Sequence, residues 1–376
     1  MKSSYTHSPI DQHFHADQTP LPNERGQDVP VEVIRQSWPC QWPRFDEANR
    51  DALERTRLLG HQSAWLESVT SGLDHSAYLL KTVVDGRLEG LLPLILVQGP
   101  IFGRFLVSLP YLNTGGVWAR TTNIAQELID EACKLADELD VKYLELRHET
   151  PIVHGKFNFE RNDKVHMRLA LPETDEELNR SFKSKLRSQI RKSNEHNLTV
   201  QFGGAELIDD FYSVFAHNMR DLGTPVFAKK LFQCIIKQFE GNAEFGVVRR
   251  DGRAIASGLL VHRLGCTEVP SASCLREFNR TNANMLMYRN LLRRAIEKGS
   301  HTFDFGRSSE GSGTYKFKAQ WGAKPHPACW QYYVRKGDPN DMRADVGSKQ
   351  KLVQVWQRLP VWLTKLIGPS IVRGIP

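Results

Sequence analysis

The chain has 376 residues, 40% hydrophobic and 25% charged, a length beyond what one hydrophobic core usually organises and a composition that excludes disordered and fibrous classes. Lys and Arg exceed Asp and Glu by 50 to 43, and the resulting charge of +7 mildly favours anionic partners. Six cysteines without a C-x-x-C pair form no zinc or secreted-disulfide pattern and fit reduced thiols in a cytoplasm.

Residues 1–30 are polar, with no apolar segment, and read as a flexible leader rather than a signal peptide. His13 and His15 lack a Cys or carboxylate ligand set, so no metal site is expected there. Tyr78 to Val97 reads as strand, turn, strand about Asp85-Gly86-Arg87, because Asp-Gly between apolar runs favours a tight hairpin. Gly90 to Val107 is the most hydrophobic stretch. Pro93, Gln98, Gly99, Pro100 and Arg104 interrupt it, so it cannot supply a spanning helix. An amphipathic helix over Gln126 to Leu139 and a strand over Lys142 to Arg147 follow. His148, His154 and His166 show no partner pattern and read as ordinary core or surface histidines.

Next, Leu171-Pro172-Glu173 ends a strand, and Thr174-Asp175-Glu176-Glu177 has the form of a capping box that opens a helical region. Arg180 to Lys192 then holds six basic residues and no acid. Phe182, Leu186 and Ile190 recur on one face, with Lys183, Arg187 and Arg191 on a neighbouring stripe. That stripe is either a solvated face or an anion clamp, since like charges at this spacing repel until an anion answers them.

The order of elements then repeats. Glu244 to Arg263 is a hairpin about Asp251-Gly252-Arg253, Met285 to Lys298 a helix and Thr302 to Arg307 a strand. Recurrence after about 160 residues predicts a duplicated α/β unit. From Phe303 to Pro325 the chain reads as strand, Gly/Ser loop and short helix, a setting that can aim backbone N–H groups at a phosphate or carboxylate. Arg307, Lys316 and Lys318 add charge to it, while Asp304 either orients a neighbour or holds the strand end. It matches neither a P-loop nor G-x-G-x-x-G, which argues against a kinase or dehydrogenase.

Asp304-Phe305-Gly306-Arg307, the loop, and Gly313-Thr314-Tyr315-Lys316-Phe317-Lys318 running to Trp321-Gly322-Ala323 resemble the closing motif of FemAB-type acyltransferases. Leu186 to Lys192 is similar to the basic helix opening that family's second half, and Asn284 to Gly299 to its long helix before the final strand. The tail from Trp356-Gln357-Arg358-Leu359-Pro360 to Arg373-Gly374-Ile375-Pro376 resembles FemAB-like proteins of exopolysaccharide and PEP-CTERM systems.

The resemblance implies an α/β (α+β) fold of tandem GNAT-like domains, each a mixed, mostly antiparallel sheet flanked by helices. Their expected limits are 31–170 and 171–337, with an amphipathic tail over 338–376. It implies an N-acyltransferase acting on an amine of a cell-envelope peptide or polysaccharide precursor. No tightly bound cofactor and no metal are expected, and the co-substrate is acyl-CoA or aminoacyl-tRNA. The acetyl-CoA signature Arg-x-x-Gly-x-Gly is not met, because Arg307 to Gly313 has one residue too many.

Lys318 occupies the family's Phe-Lys position and is expected to stabilise a developing oxyanion. Tyr315 and Asp304 join it as catalytic candidates, with Arg187, Arg191, Arg307, Lys316 and Lys183 holding phosphate or carboxylate. Two other classes stand beside this one, a nucleic-acid-binding module on the basic helix and a non-catalytic scaffold of a polysaccharide assembly system. With no recognition-helix or RNP-type pattern, DNA is not an expected partner, although tRNA is. In the tail, Leu352, Val355, Trp356, Leu359, Leu363 and Leu366 fall at helical spacing with Lys351, Arg358 and Lys365 among them. Such an element either docks on the protein's own core or touches the inner face of the cytoplasmic membrane.

Overall fold

The structure, a computed structural model, describes residues 32–40, 59–99, 101–263, 265–342 and 349–376. The expected leader, with His13 and His15, lies outside the described residues. The first half runs β1 (Val33–Ser37), α1 (Ser63–Leu73), β2 (Ser76–Val84), β3 (Arg87–Gly99), β4 (Gly103–Val107), β5 (Trp118–Ala119), α2 (Thr122–Glu138), β6 (Tyr143–His148) and β7 (Phe159–Ala170). The second half starts with α3 (Asp175–Ser181), α4 (Ser184–Ser193), β8 (Leu198–Gly203), α5 (Ile208–Leu222), α6 (Lys229–Gln238), β9 (Ala243–Arg250) and β10 (Arg253–Arg263). It continues with β11 (Cys266–Cys274), α7 (Ala283–Glu297), β12 (Thr302–Ser309), α8 (Gly313–Ala319) and β13 (Lys324–Val334). The tail forms α9 (Lys349–Arg358) and α10 (Val361–Val372).

Both Asp-Gly pairs make the expected turns. Asp85 and Gly86 have φ of 50° and 75°, and Asp251 and Gly252 50° and 80°, the pair of positive values that joins two twisted strands without splaying them. Thr121 caps α2 by accepting the N–H of Ile124, which starts that helix four residues before the expected Gln126. Thr174 caps α3 through the N–H of Glu177, as the capping box predicts. The helical region after it is not continuous: Phe182 is extended, with ψ 138°, and divides it into α3 and α4.

All thirteen strands join one sheet, ordered β1-β2-β3-β4-β6-β13-β7-β12-β11-β10-β9-β8, with β5 beside β3. The order is a near-palindrome. Strands β2, β3 and β4 are antiparallel and β4 lies parallel to β6, as β9, β10 and β11 are antiparallel and β11 lies parallel to β12. The final strands are exchanged: β7, from the first half, pairs with β12, while β13, from the second, pairs with β6. The two exchanged strands pair with each other at the centre.

On one face, α2 packs on the first half through Leu128 and Ile129, and α7 on the second through Met287 and Leu291. On the other, α1, α5 and α6 bury Trp65, Phe211 and Phe232 with Val97 and Phe105 of the first half and Phe245 and Leu259 of the second. One core therefore spans both halves. Among the described residues no helix is long and apolar enough to cross a membrane.

Candidate active site

Each half contains a fork where its two parallel strands part. Strands β4 and β6 pair only at Leu106↔Leu144 and Val107↔Glu145, and β11 and β12 only from Cys266↔Thr302 to Glu268↔Asp304. The first fork is filled by its own chain. Ser108 N–H donates to Glu145 O at 2.9 Å, Arg147 N–H to Ser108 Oγ at 2.8 Å, and the N–H groups of Gly115 and Gly116 to Arg147 O at 3.1 and 3.0 Å. The Arg147 guanidinium closes it, donating to Glu145 and to Leu112 O, both at 2.6 Å. In the second fork the chain turns away after β11, with Leu275 N–H on Ile255 O at 2.9 Å, and it is the first half that reaches in, the backbone of Leu59 hydrogen-bonding the Glu268 carboxyl.

The forks also differ in chemistry. Where the first has Val107, the second has Glu268. Glu268 is enclosed by neighbours yet keeps contact with solvent. Burial, and then the charge of Asp304 on the adjacent strand, push its carboxyl up to about 7, against the pull of Arg263 and Arg168. Burial also works against ionisation of Asp304. There the Arg168 charge, His166 and the Gly306 N–H outweigh it and hold the carboxyl below its ordinary range. Arg168 donates Nε to Asp304 at 2.9 Å and Nη1 to Glu149 at 3.1 Å. Glu149, ionised against its burial by Arg168, falls to about 2. Glu149, Arg168 and Asp304 thus form a line of alternating charge, and Glu268, set beside Asp304, is the acid that retains a proton near neutrality.

A bulge in β12 completes the site. Asp304 pairs with Arg168 but Arg307 with His166, so one extra residue is accommodated, with Gly306 at φ 76°. The bulge puts Asp304 and Arg307 on the same face. Lys318, 8% exposed, donates from Nζ to Gly306 O at 3.0 Å and Arg307 O at 2.9 Å and so clamps the bulge. Burial lowers its ammonium to about 8. The Arg307 and Arg147 guanidinium groups each lie 4.0 Å from the Trp330 ring. Burial and Arg147 bring Arg307 down to about 10, and its guanidinium makes no hydrogen bond or ion pair among the described residues.

Of the residues singled out in the sequence, Asp304, Arg307 and Lys318 come together here. Tyr315 is half-buried on α8, packed against the α7 and β12 core, with its N–H on the capping Ser312 Oγ at 3.1 Å, and Lys316 is exposed on the same helix. Lys183, Arg187 and Arg191 are not at the fork. Phe182 and Leu186 pack with Met167, Val269, Phe303 and Phe305, whose strand neighbours Arg168, Glu268 and Asp304 point to the opposite face. The basic stripe is therefore exposed on the other side of the sheet, and none of its cations has an ion-pair partner among the described residues.

Two of the three histidines belong to the surrounding frame. Val117 N–H donates to His148 Nε2 at 3.1 Å, so Nδ1 carries the proton and donates to Gln331 Oε1 at 3.0 Å. Burial keeps this ring neutral, lowering it to about 4, and does the same to His166, whose Nε2 lies 3.2 Å from Thr114 Oγ1. Beside Glu149, at the seam of β7 and β13, a cavity of about 390 Å³ is lined by Asn162, Lys164, Glu310, Pro325 and His326 among others.

Residues 180–319 match the family model described as an acetyltransferase (GNAT) domain. This segment of the second half is a GNAT acyltransferase domain. The match includes the fork that carries Glu268. Among solved structures, FemX shares the fold at a TM-score of 0.58 and 14% identity, over 87% of this chain and 100% of FemX. The C-terminal (DUF2156) domain of an Agrobacterium fabrum protein named as a lysylphosphatidylglycerol synthetase matches at 0.50 and 11%, over 76% of this chain and 92% of that one. A search of curated protein sequences finds no significant match. The chain thus carries an acetyltransferase (GNAT) domain within a mixed, mostly antiparallel α/β fold shared with FemX. The sequence reading missed Glu268, Arg168 and Glu149, and the only local signal was a lone acid or arginine within a strand-like run, as in Cys266-Thr267-Glu268-Val269.

Proposed function

We propose that the second fork transfers an acyl group directly to an amine of an envelope peptide or polysaccharide precursor, with Glu268 as general base. The observation that carries this is a carboxyl held near pKa 7 where two parallel strands part, since a base works best close to the operating pH. Glu268 takes a proton as the amine nitrogen attacks the donor carbonyl. Lys318 and Arg307 bring positive charge to the end of β12, where the oxyanion would form, and on its collapse the donor's sulfur or ribose oxygen leaves as thiol or hydroxyl with the proton that Glu268 took from the amine. The seam cavity, with Glu149, Lys164 and Glu310 on its walls, offers polar groups of both signs to an acceptor.

Of the two donors, aminoacyl-tRNA is favoured. Six exposed cations of Arg180 to Lys192 without ion partners among the described residues form a footprint for a phosphate backbone. The resemblance to FemAB enzymes and the shared fold of FemX agree with it, as does a neighbour whose name specifies a lysylated lipid. Glu268→Gln should lower single-turnover transfer by about 10² or more and abolish the rise in rate through pH 7. An unchanged rate with the same pH limb would remove Glu268 from the mechanism.

A further inference from the structure

The tail helices have two faces. Inwardly they are seated on the first and second halves together. Val353 meets Gly223, Gln357 Nε2 donates to Asp221 O at 3.0 Å, and Arg220 Nη1 donates to Leu359 O at 3.1 Å. Gly368 lies against Val226, Gly374 against Gly99, and Arg373 Nη2 donates to Asp74 O at 3.2 Å. Docking of this kind ordinarily uses up the apolar residues of an amphipathic segment. Here Leu352, Val355, Trp362 and Leu366 remain outside it.

Those four and Leu222, at the end of the helix on which α9 docks, are between 51% and 69% exposed. They are five of the nine large apolar side chains left exposed among the described residues, gathered on one segment and its immediate support. Scattered single exposures need no explanation, but a cluster of this kind marks a contact surface. Lys351, Arg358 and Lys365 are exposed among them, and residues 349–376 contain five basic residues and no acidic one.

We propose that the outer face of α9 and α10 docks on a bilayer of anionic phospholipid. The apolar residues enter the headgroup boundary, Trp362 sits at the interface that its amphipathic ring prefers, and the basic side chains answer the lipid phosphates. Charge selects this occupant over a second copy of the chain, because apposing two such faces would set Lys351, Arg358 and Lys365 against one another with no acid on either side. The inference rests on the tail alone and does not depend on Glu268 or the donor.

The test is flotation of the full-length protein with phosphatidylcholine vesicles prepared with and without phosphatidylglycerol. Binding is expected only with the anionic lipid. A Trp362→Gln/Leu366→Gln variant, with an unchanged circular dichroism spectrum, should bind about tenfold less or weaker still. Replacing Lys351, Arg358 and Lys365 by Gln should weaken binding about fivefold per charge. Val153→Gln, at an exposed site remote in sequence from the tail, should change nothing. Failure of the wild type to float with anionic vesicles, or equal flotation of the Trp362→Gln/Leu366→Gln variant, overturns the proposal. So does a concentration-dependent dimer that this variant abolishes in the absence of vesicle binding, an outcome that assigns the face to a second copy.

Discussion

Asp304 and Glu268 face each other across two parallel strands, and among the described residues it is Asp304 that accepts a hydrogen bond from an arginine, Arg168. Glu268 pays for that arrangement in stability. Its carboxyl rises from the ordinary value to about 7, so in the pH window between the two the folded chain holds a proton that the unfolded chain has released. Stability from this group is complete below the ordinary carboxylate range and is lost as pH rises through 7. Glu268→Gln should therefore melt at a higher temperature than the wild type above pH 8, with the difference vanishing at acid pH. A thermal melt across that range checks the sign, and a variant less stable at every pH would contradict it. Lys318 is the other decisive residue. Two of its three N–H groups already hold the bulge carbonyls, so its charge and its clamping are exerted together. Lys318→Ala should lower kcat by roughly 10²–10³, and Lys318→Arg should restore part of it while leaving KM near that of the wild type. Unchanged turnover in Lys318→Ala would end that assignment.

The elements divide the charge of the protein between two places. The fork carries paired acids and arginines, while α4 carries cations alone, on the opposite face of the sheet. If α4 holds the phosphates of a tRNA, Arg187→Ala/Arg191→Ala should raise KM for aminoacyl-tRNA and reduce the slope of log affinity against log salt by about two, with kcat retained. Equal salt slopes for the variant and the wild type would leave α4 as a solvated surface. Elements set by local chemistry were legible in the sequence. The Asp-Gly turns need only residues that accept positive φ, the capping box needs only Thr174 and the N–H of Glu177, and the Gly-Arg to Tyr-Lys-Phe-Lys segment forms strand, loop and helix in the expected order. The β12 bulge was not legible, because it appears only in the register against β7, a strand more than a hundred residues away in the chain. Glu268 was missed for a related reason: an acid in a strand becomes a base only when another strand sets Asp304 beside it.

At the scale of the molecule, duplication was legible as a repeated order of elements, and the exchange of β7 and β13 was not, since nothing in a strand's own residues says which half it will join. The consequence is mechanical. With exchanged strands and a core shared by α1, α5 and α6, the halves should unfold together. Gly72 of α1 tests this, because a Cβ there would lie 2.6 Å from Leu231 Cα on α6, across the boundary between halves. Gly72→Val should cost about 1–3 kcal/mol and shift a single unfolding transition measured by both near- and far-ultraviolet circular dichroism. Two separated transitions would show independent halves.

Duplication followed by divergence also explains why the second fork carries Glu268 where the first has Val107, and chemistry should follow the second. The most direct measurement supplies purified protein and envelope-precursor extract with labelled aminoacyl-tRNA in one reaction and labelled acyl-CoA in the other, for the wild type and Glu268→Gln. Label should pass to an amine acceptor from aminoacyl-tRNA with the wild type and fall by about 10² or more with the variant. Transfer at equal rates by both proteins, or no transfer from either donor, would contradict an active site at the second fork.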